Sequence, residues 1–169
     1  MSLAVKKKFV SDLRPFAVQT QNKTGIHADF ILAQAALESG WGRNAPGNMF
    51  FGVKDTDGIN GNEQLLTTTE FSRNPNLKFP VILSVTKEMR KGVEWFRYRI
   101  RDYFRKYKTP EESFTDHAQF FFKNKRYREA LKVRSDPYAF AAEVAKAGYA
   151  TDPEYAKKLH SVIREIQAL

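Results

Sequence analysis

The chain has no cysteine, which excludes disulfides and thiolate metal sites from its 169 residues and leaves every redox compartment open. No apolar run approaches the ~20 residues that cross a bilayer, so membrane insertion is not expected. The opening MSLAVKKKF lacks the apolar core of a signal peptide, and no export address is expected in it. Histidine is scarce: His27, His117 and His160 stand apart, without metal spacing. No glycine-rich phosphate loop occurs. The run DTDGINGNE from Asp55 fails as a calcium loop, because aligning its Asp-Gly pair puts Val53 at the first ligand position and Gln64 at the last. It reads as a flexible turn. Neither a metal nor a cofactor is expected.

Acids are also in deficit, 19 Asp plus Glu against 28 Lys plus Arg, for a net charge of +9 and a pI near 9.7. Such a surface suits a polyanionic setting, of which the bacterial wall is one and nucleic acid another. The length suits one domain, residues 1–169, built as a large lobe plus a small one. No repeat, linker or low-complexity tract interrupts it.

Residues 5–21 place Phe9, Val10, Leu13, Phe16 and Ala17 at helical spacing, with Gly25 ending or following the helix. A second helix starts near His27 or Ala28, and Gly40, Gly42, Pro46 and Gly47 then mark a loop. Residues 48–54 are expected at the junction of two lobes. Residues 64–71 and 81–86 read as strands. A third strand is set by Phe96, Tyr98 and Ile100 alternating with Arg97, Arg99 and Arg101, rings on one face and guanidiniums on the other. That basic face reads as a solvated sheet surface or one that meets acidic wall polymer. The three strands would form an antiparallel β-lobe over approximately residues 55–103.

Beyond it the chain is helical. Thr109, Pro110 and Glu112 make a capping-box start, after which Phe114, His117, Ala118 and Phe121 share a face. Asp136-Pro137 and Asp152-Pro153 repeat the start signal, and Gly148 closes the helix between them. The last helix is expected to bury Tyr155, Leu159, Val162 or Ile163, and Ile166. The order predicts an α+β, lysozyme-like fold: a mainly helical lobe, a small antiparallel β-lobe and an intervening cleft.

The stretch ILAQAALESGWG, residues 31–42, carries an almost unbroken apolar run that ends in one carboxylate, Glu38. A helix apolar on nearly all sides is buried. Its exit would put Glu38 beside Leu37 and Trp41 with little water, and desolvation together with the helix C-terminus would raise the pKa. A Glu protonated near neutral pH can act as a general acid. The plain alternative is the solvated tip of a helix capped by Gly40.

The string AQAALESGWG with APGN and FGVK, then TTTEF at residues 67–71, FRKYKTPEESFTDHAQFF at 104–122 and AGYATDPEYAKKL at 147–159, resembles in order the glucosaminidase domain of glycoside hydrolase family 73, of the flagellar peptidoglycan-hydrolase type. The resemblance implies Glu38 as general acid, with Glu70 and Tyr149 completing the catalytic site. It implies endo-β-N-acetylglucosaminidase activity, cutting the β-1,4 bond between N-acetylglucosamine and N-acetylmuramic acid in peptidoglycan glycan strands. A periplasmic or extracellular monomer that does not bind nucleic acid goes with it. Trp41 and Phe51 are candidates for stacking on sugar, and Asn48 for bonding an acetamido group or serving its own turn. Two departures stand out: GNMFFGVK replaces the family's GNNLFGIK, and residues 74–103 exceed the usual length.

Glycoside hydrolysis needs a proton for the leaving oxygen and a second group for the opposite face. Glu70, among threonines on a strand, lies in a polar setting that keeps a carboxyl ionised. Carboxyls ~6.5–9.5 Å apart would make Glu70 the base of an inverting enzyme. In the other route the substrate's 2-acetamido group attacks, with Tyr149 orienting it. Rival activities are a lytic transglycosylase or muramidase of the same fold, and a non-catalytic basic module that binds wall polymer or nucleic acid.

Overall fold

A computed structural model describes residues 1–169, which form two compact units: Met1–Phe51 with Tyr107–Leu169, and Gly52–Lys106. The first is helical. Helix α1 spans Leu3–Thr24, capped by the Ser2 hydroxyl, which accepts from the Val5 amide, and closed by Gly25 at φ 77°. Pro15 lies inside it without ending it. The proline lacks the N–H that would bond the Ser11 carbonyl, and both residues are exposed, which puts the interruption on the solvent side of the helix.

Helix α2 spans Ala28–Ser39. His27 caps it through a ring nitrogen that accepts from the Asp29 amide, and Gly40, in the left-handed region at φ 58°, ends it. Every residue from Ala28 to Ala36 is buried, because α1, α5 and α6 pack around the helix. This enclosure is what the continuous apolar run dictates.

Helix α3 (Pro110–Lys123) starts on Thr109, whose hydroxyl accepts from the Glu112 amide. The Glu112 carboxylate returns to the Lys108 amide, one residue before the cap, at 3.0 Å. A short 3-10 turn at Lys125–Tyr127 leads into α4 (Arg128–Leu131). Helix α5 (Pro137–Lys146) is capped by Asp136, and α6 runs from Tyr155 to Gln167. The Asp152-Pro153 signal is displaced: the Asp152 carboxylate accepts from the Glu154 amide and its carbonyl from the Tyr155 amide, a tight turn that delays the helix until Tyr155. Ile163, not Val162, faces inward. Phe30 meets Phe140 edge-to-face at 4.5 Å, and both pack on Phe121, so α2, α3 and α5 share one aromatic core.

The second unit is an antiparallel sheet in the order β1-β3-β2, with β1 at Glu63–Ser72, β2 at Val81–Arg90 and β3 at Val93–Arg105. Lys91 and Gly92, at φ 50° and 77°, form the two-residue turn joining β2 to β3, as a twisted hairpin requires. On β3 the alternation is realised: Phe96, Tyr98 and Ile100 are buried, Arg97, Arg99 and Arg101 exposed. Part of the extra length after residue 74 folds back here, with Leu77 and Phe79 packing on the three buried side chains and Tyr98 donating to the Asn74 carbonyl. The DTDGINGNE turn closes on Glu63, whose carboxylate accepts from the amides of Asn60 and Gly61.

Candidate active site

Glu38 occupies the last turn of α2, where the left-handed Gly40 stops the helix. Glu38 is exposed, which corrects the expectation from sequence that little water reaches it beside Leu37 and Trp41. Glu38 retains accessible surface, and the indole of Trp41 turns to α1, edge-on to Phe9 at 5.4 Å with the Lys6 ammonium over its ring. Trp41 itself has a left-handed backbone, φ 57°, which swings its side chain away from the helix line. Even so, the protein atoms around the Glu38 carboxyl displace enough water to raise its pKa above the usual glutamate value. The carboxyl is thus accessible to a ligand and at the same time partly desolvated.

The polar neighbour of Glu38 comes from α6. The Tyr155 hydroxyl donates to Glu38 Oε1 at 3.5 Å, a bond that favours the ionised acid and works against desolvation. Tyr149, in the segment after α5, stacks on Tyr155 at 5.5 Å between ring centres. Burial first, then the negative charge of Glu38, push the Tyr149 hydroxyl well above its ordinary range. It therefore stays a neutral donor.

Behind these groups lies a buried polar chain. Gln34, one helical turn before Glu38 and fully buried, donates to the Tyr155 hydroxyl at 3.1 Å. Its carbonyl oxygen is 2.8 Å from His117 Nε2, and the same nitrogen is 3.4 Å from the Tyr149 hydroxyl. Burial holds the His117 imidazole down to about 3, so the ring is neutral.

In the sequence His117 is one member of an apolar face, Tyr155 a core position and Gln34 a residue with no assigned role. One signal for the last was available: a lone amide in an otherwise apolar buried helix needs partners.

The other expected sugar contacts are placed differently. Phe51 is 4 % exposed and stacks on His117 at 3.7 Å, which makes it a packing residue with no ring face left for a sugar. Asn48, left-handed at φ 57°, donates its side-chain amide to the Tyr107 carbonyl at 3.1 Å and so ties its turn to the segment that leads into α3. Glu70 belongs to the sheet unit, on β1 opposite Tyr98. Its carboxylate pairs with Lys54 at 2.8 Å, and Lys54 also reaches Asp102 at 3.1 Å. Burial disfavours the charge on Lys54, but these two acids outweigh it and hold the ammonium above its usual pKa.

A family model described as Glucosaminidase, Mannosyl-glycoprotein endo-beta-N-acetylglucosaminidase, matches residues 14–168. The chain belongs to this glucosaminidase family. It is 32% identical over 169 residues to the Peptidoglycan hydrolase FlgJ of Vibrio parahaemolyticus, covering 96% of this chain and 48% of that protein. With the Exo-glucosaminidase LytG of Bacillus subtilis it shares 32% identity over 165 residues, 93% of this chain and 50% of the relative. The chain thus spans about half the length of these curated relatives.

Among solved structures, the C-terminally truncated glycoside hydrolase domain of Salmonella typhimurium FlgJ superposes with a TM-score of 0.71 at 30% identity, covering 97% of this chain and 99% of that one. A peptidoglycan hydrolase mutant from Sphingomonas sp. A1 follows at TM-score 0.61 and 29% identity, with 95% and 97% covered. This glucosaminidase-family chain has the α+β, lysozyme-like fold of glycoside hydrolase domains.

Proposed function

We propose that the chain is an endo-β-N-acetylglucosaminidase that cuts the β-1,4 bond after N-acetylglucosamine in peptidoglycan glycan strands, with Glu38 as the proton donor. The observation that carries this reading is the raised pKa of an accessible carboxyl at the mouth of a buried helix, in a chain of the glucosaminidase family. The substrate is inferred from relatives named as peptidoglycan hydrolases. A net charge of +9 suits acidic wall material, and the place of action is the wall, in the periplasm or outside the cell.

In this reading Glu38, protonated, gives its hydrogen to the leaving oxygen as the glycosidic bond breaks. Tyr155 then donates to the new carboxylate. Glu70, held by Lys54, supplies the negative group that activates water on the opposite face of the sugar. In the substrate-assisted variant the 2-acetamido oxygen attacks instead, and the neutral Tyr149 hydroxyl orients it. Trp41 keeps accessible surface and is the remaining aromatic candidate for a sugar platform.

Mass spectrometry of the digested wall tests the proposal. The expected products are fragments ending in reducing N-acetylglucosamine. Products ending in 1,6-anhydro sugars would indicate a transglycosylase, and reducing N-acetylmuramic acid a muramidase. Salt-sensitive binding without new ends would indicate a non-catalytic module. Any of the three overturns it.

A further inference from the structure

Gln34 and His117 bond to each other across two helices and form an unbroken polar line to Glu38: His117 on α3, Gln34 on α2, Tyr155 on α6. The direction of each hydrogen follows from the chemistry of the ends. The ring of His117 is neutral and carries one N–H, and it makes its hydrogen bonds through Nε2. The Gln34 carbonyl can only accept, so Nε2 holds the hydrogen. That orientation turns the Gln34 NH₂ toward the Tyr155 oxygen. With its oxygen accepting from Gln34, the Tyr155 hydroxyl directs its own hydrogen elsewhere, and Glu38 Oε1 is the acceptor at 3.5 Å.

The opposite state is just as definite. If His117 carried its hydrogen on Nδ1, Gln34 would present its NH₂ to Nε2 and its carbonyl to Tyr155. The tyrosine would then give its hydrogen to Gln34, and Glu38 would lose its donor.

We propose that Gln34 and His117 are positioning residues that aim the Tyr155 hydroxyl at Glu38, so that a fixed donor meets the carboxylate as its proton leaves. The packing supports a fixed element. His117 stacks on Phe51 at 3.7 Å and 10°, and the Phe121 ring meets it edge-on at 5.2 Å. Gln34 is 0 % exposed. The titratable groups around Glu38 are tyrosines, Tyr155 from α6 and Tyr149 from the segment after α5, with Tyr127 and His117 behind them; no cation or second carboxylate contributes to its shift. The inference rests on Glu38 as the acid for its catalytic meaning, but the geometry can be tested without turnover.

Two measurements decide it. In the unmodified protein, long-range ¹⁵N NMR of the imidazole is expected to give the Nε2–H tautomer for His117; the Nδ1–H tautomer overturns the proposal. The second follows the Glu38 carboxyl by ¹³C NMR titration, with Glu38→Gln used to assign the signal. Tyr155→Phe is expected to raise the midpoint by on the order of half a pH unit or more. His117→Phe keeps the stacked ring but frees Gln34 to turn, and should raise the midpoint in the same direction by less.

The double variant is expected to go no further than Tyr155→Phe alone, since His117 acts through Tyr155, and His117→Gln, which restores an N–H at similar reach, should return the midpoint toward the parent. An unmoved midpoint in Tyr155→Phe, or additive shifts in the double variant, overturns the proposal. If the midpoints behave as expected while Glu38→Gln still cleaves glycan, the positioning stands and the assignment of Glu38 as the acid fails instead.

Discussion

Glu38→Gln is expected to slow glycan cleavage by about 10²–10⁴-fold, the contribution of a positioned general acid, while the protein stays folded. The amide has the size of the acid and can still accept from Tyr155, but it has no proton to give to a leaving oxygen. Because Glu38 is exposed at the end of α2, removing its charge disturbs no core contact. Release of reducing ends from purified wall, with the thermal transition measured in parallel, gives both readouts. A variant that cleaves near the parent rate would remove Glu38 from the chemistry.

The largest expected effect on stability comes from Phe140→Ala. Phe140 is fully buried, edge-on to Phe30 at 4.5 Å and to Phe121 at 5.3 Å, so truncation empties the point where α2, α3 and α5 meet. Loss of a buried phenylalanine costs about 3–5 kcal/mol. For a domain of this size that corresponds to a fall in Tm of roughly 6–20 °C. Differential scanning calorimetry measures it directly. A fall of less than about 2 °C would mean that the aromatic junction does not hold α2 in place.

Local chemistry made much of this fold legible. Gly25 and Gly40 end helices because they reach the left-handed region, and Thr109 and Asp136 begin them because their oxygens cap free amides. The alternation on β3 survives because one sheet face is covered by Leu77 and Phe79 and the other is left to solvent. Strand β2 was harder. Its last residues, Lys87 to Arg90, are charged or exposed and show no apolar alternation, so they are strand only because β3 pairs with them.

The candidate site divides the same way. Glu38 stands out in sequence as the acid that ends an apolar helix, whereas its partner Tyr155 lies 117 residues away and His117 lies 83 residues from Gln34. Nothing local joins those positions. The position of Trp41 was hidden for a related reason: its left-handed backbone and its ring contact with Phe9, 32 residues earlier in the chain, belong to the folded state and not to the local sequence.

The most direct test compares two pH dependences in the unmodified chain: the ¹³C titration of the Glu38 carboxyl and the alkaline limb of kcat/KM on soluble peptidoglycan fragments. A general acid acts only while protonated, and the folded protein raises its pKa, so activity should be full below the Glu38 midpoint and fall as pH rises through it. The expected result is a midpoint above the ordinary glutamate value of 4.5 that coincides with the limb. A midpoint at or below that value, or a limb that stays in place when the carboxyl ionises, would contradict a protonated Glu38 as the donor.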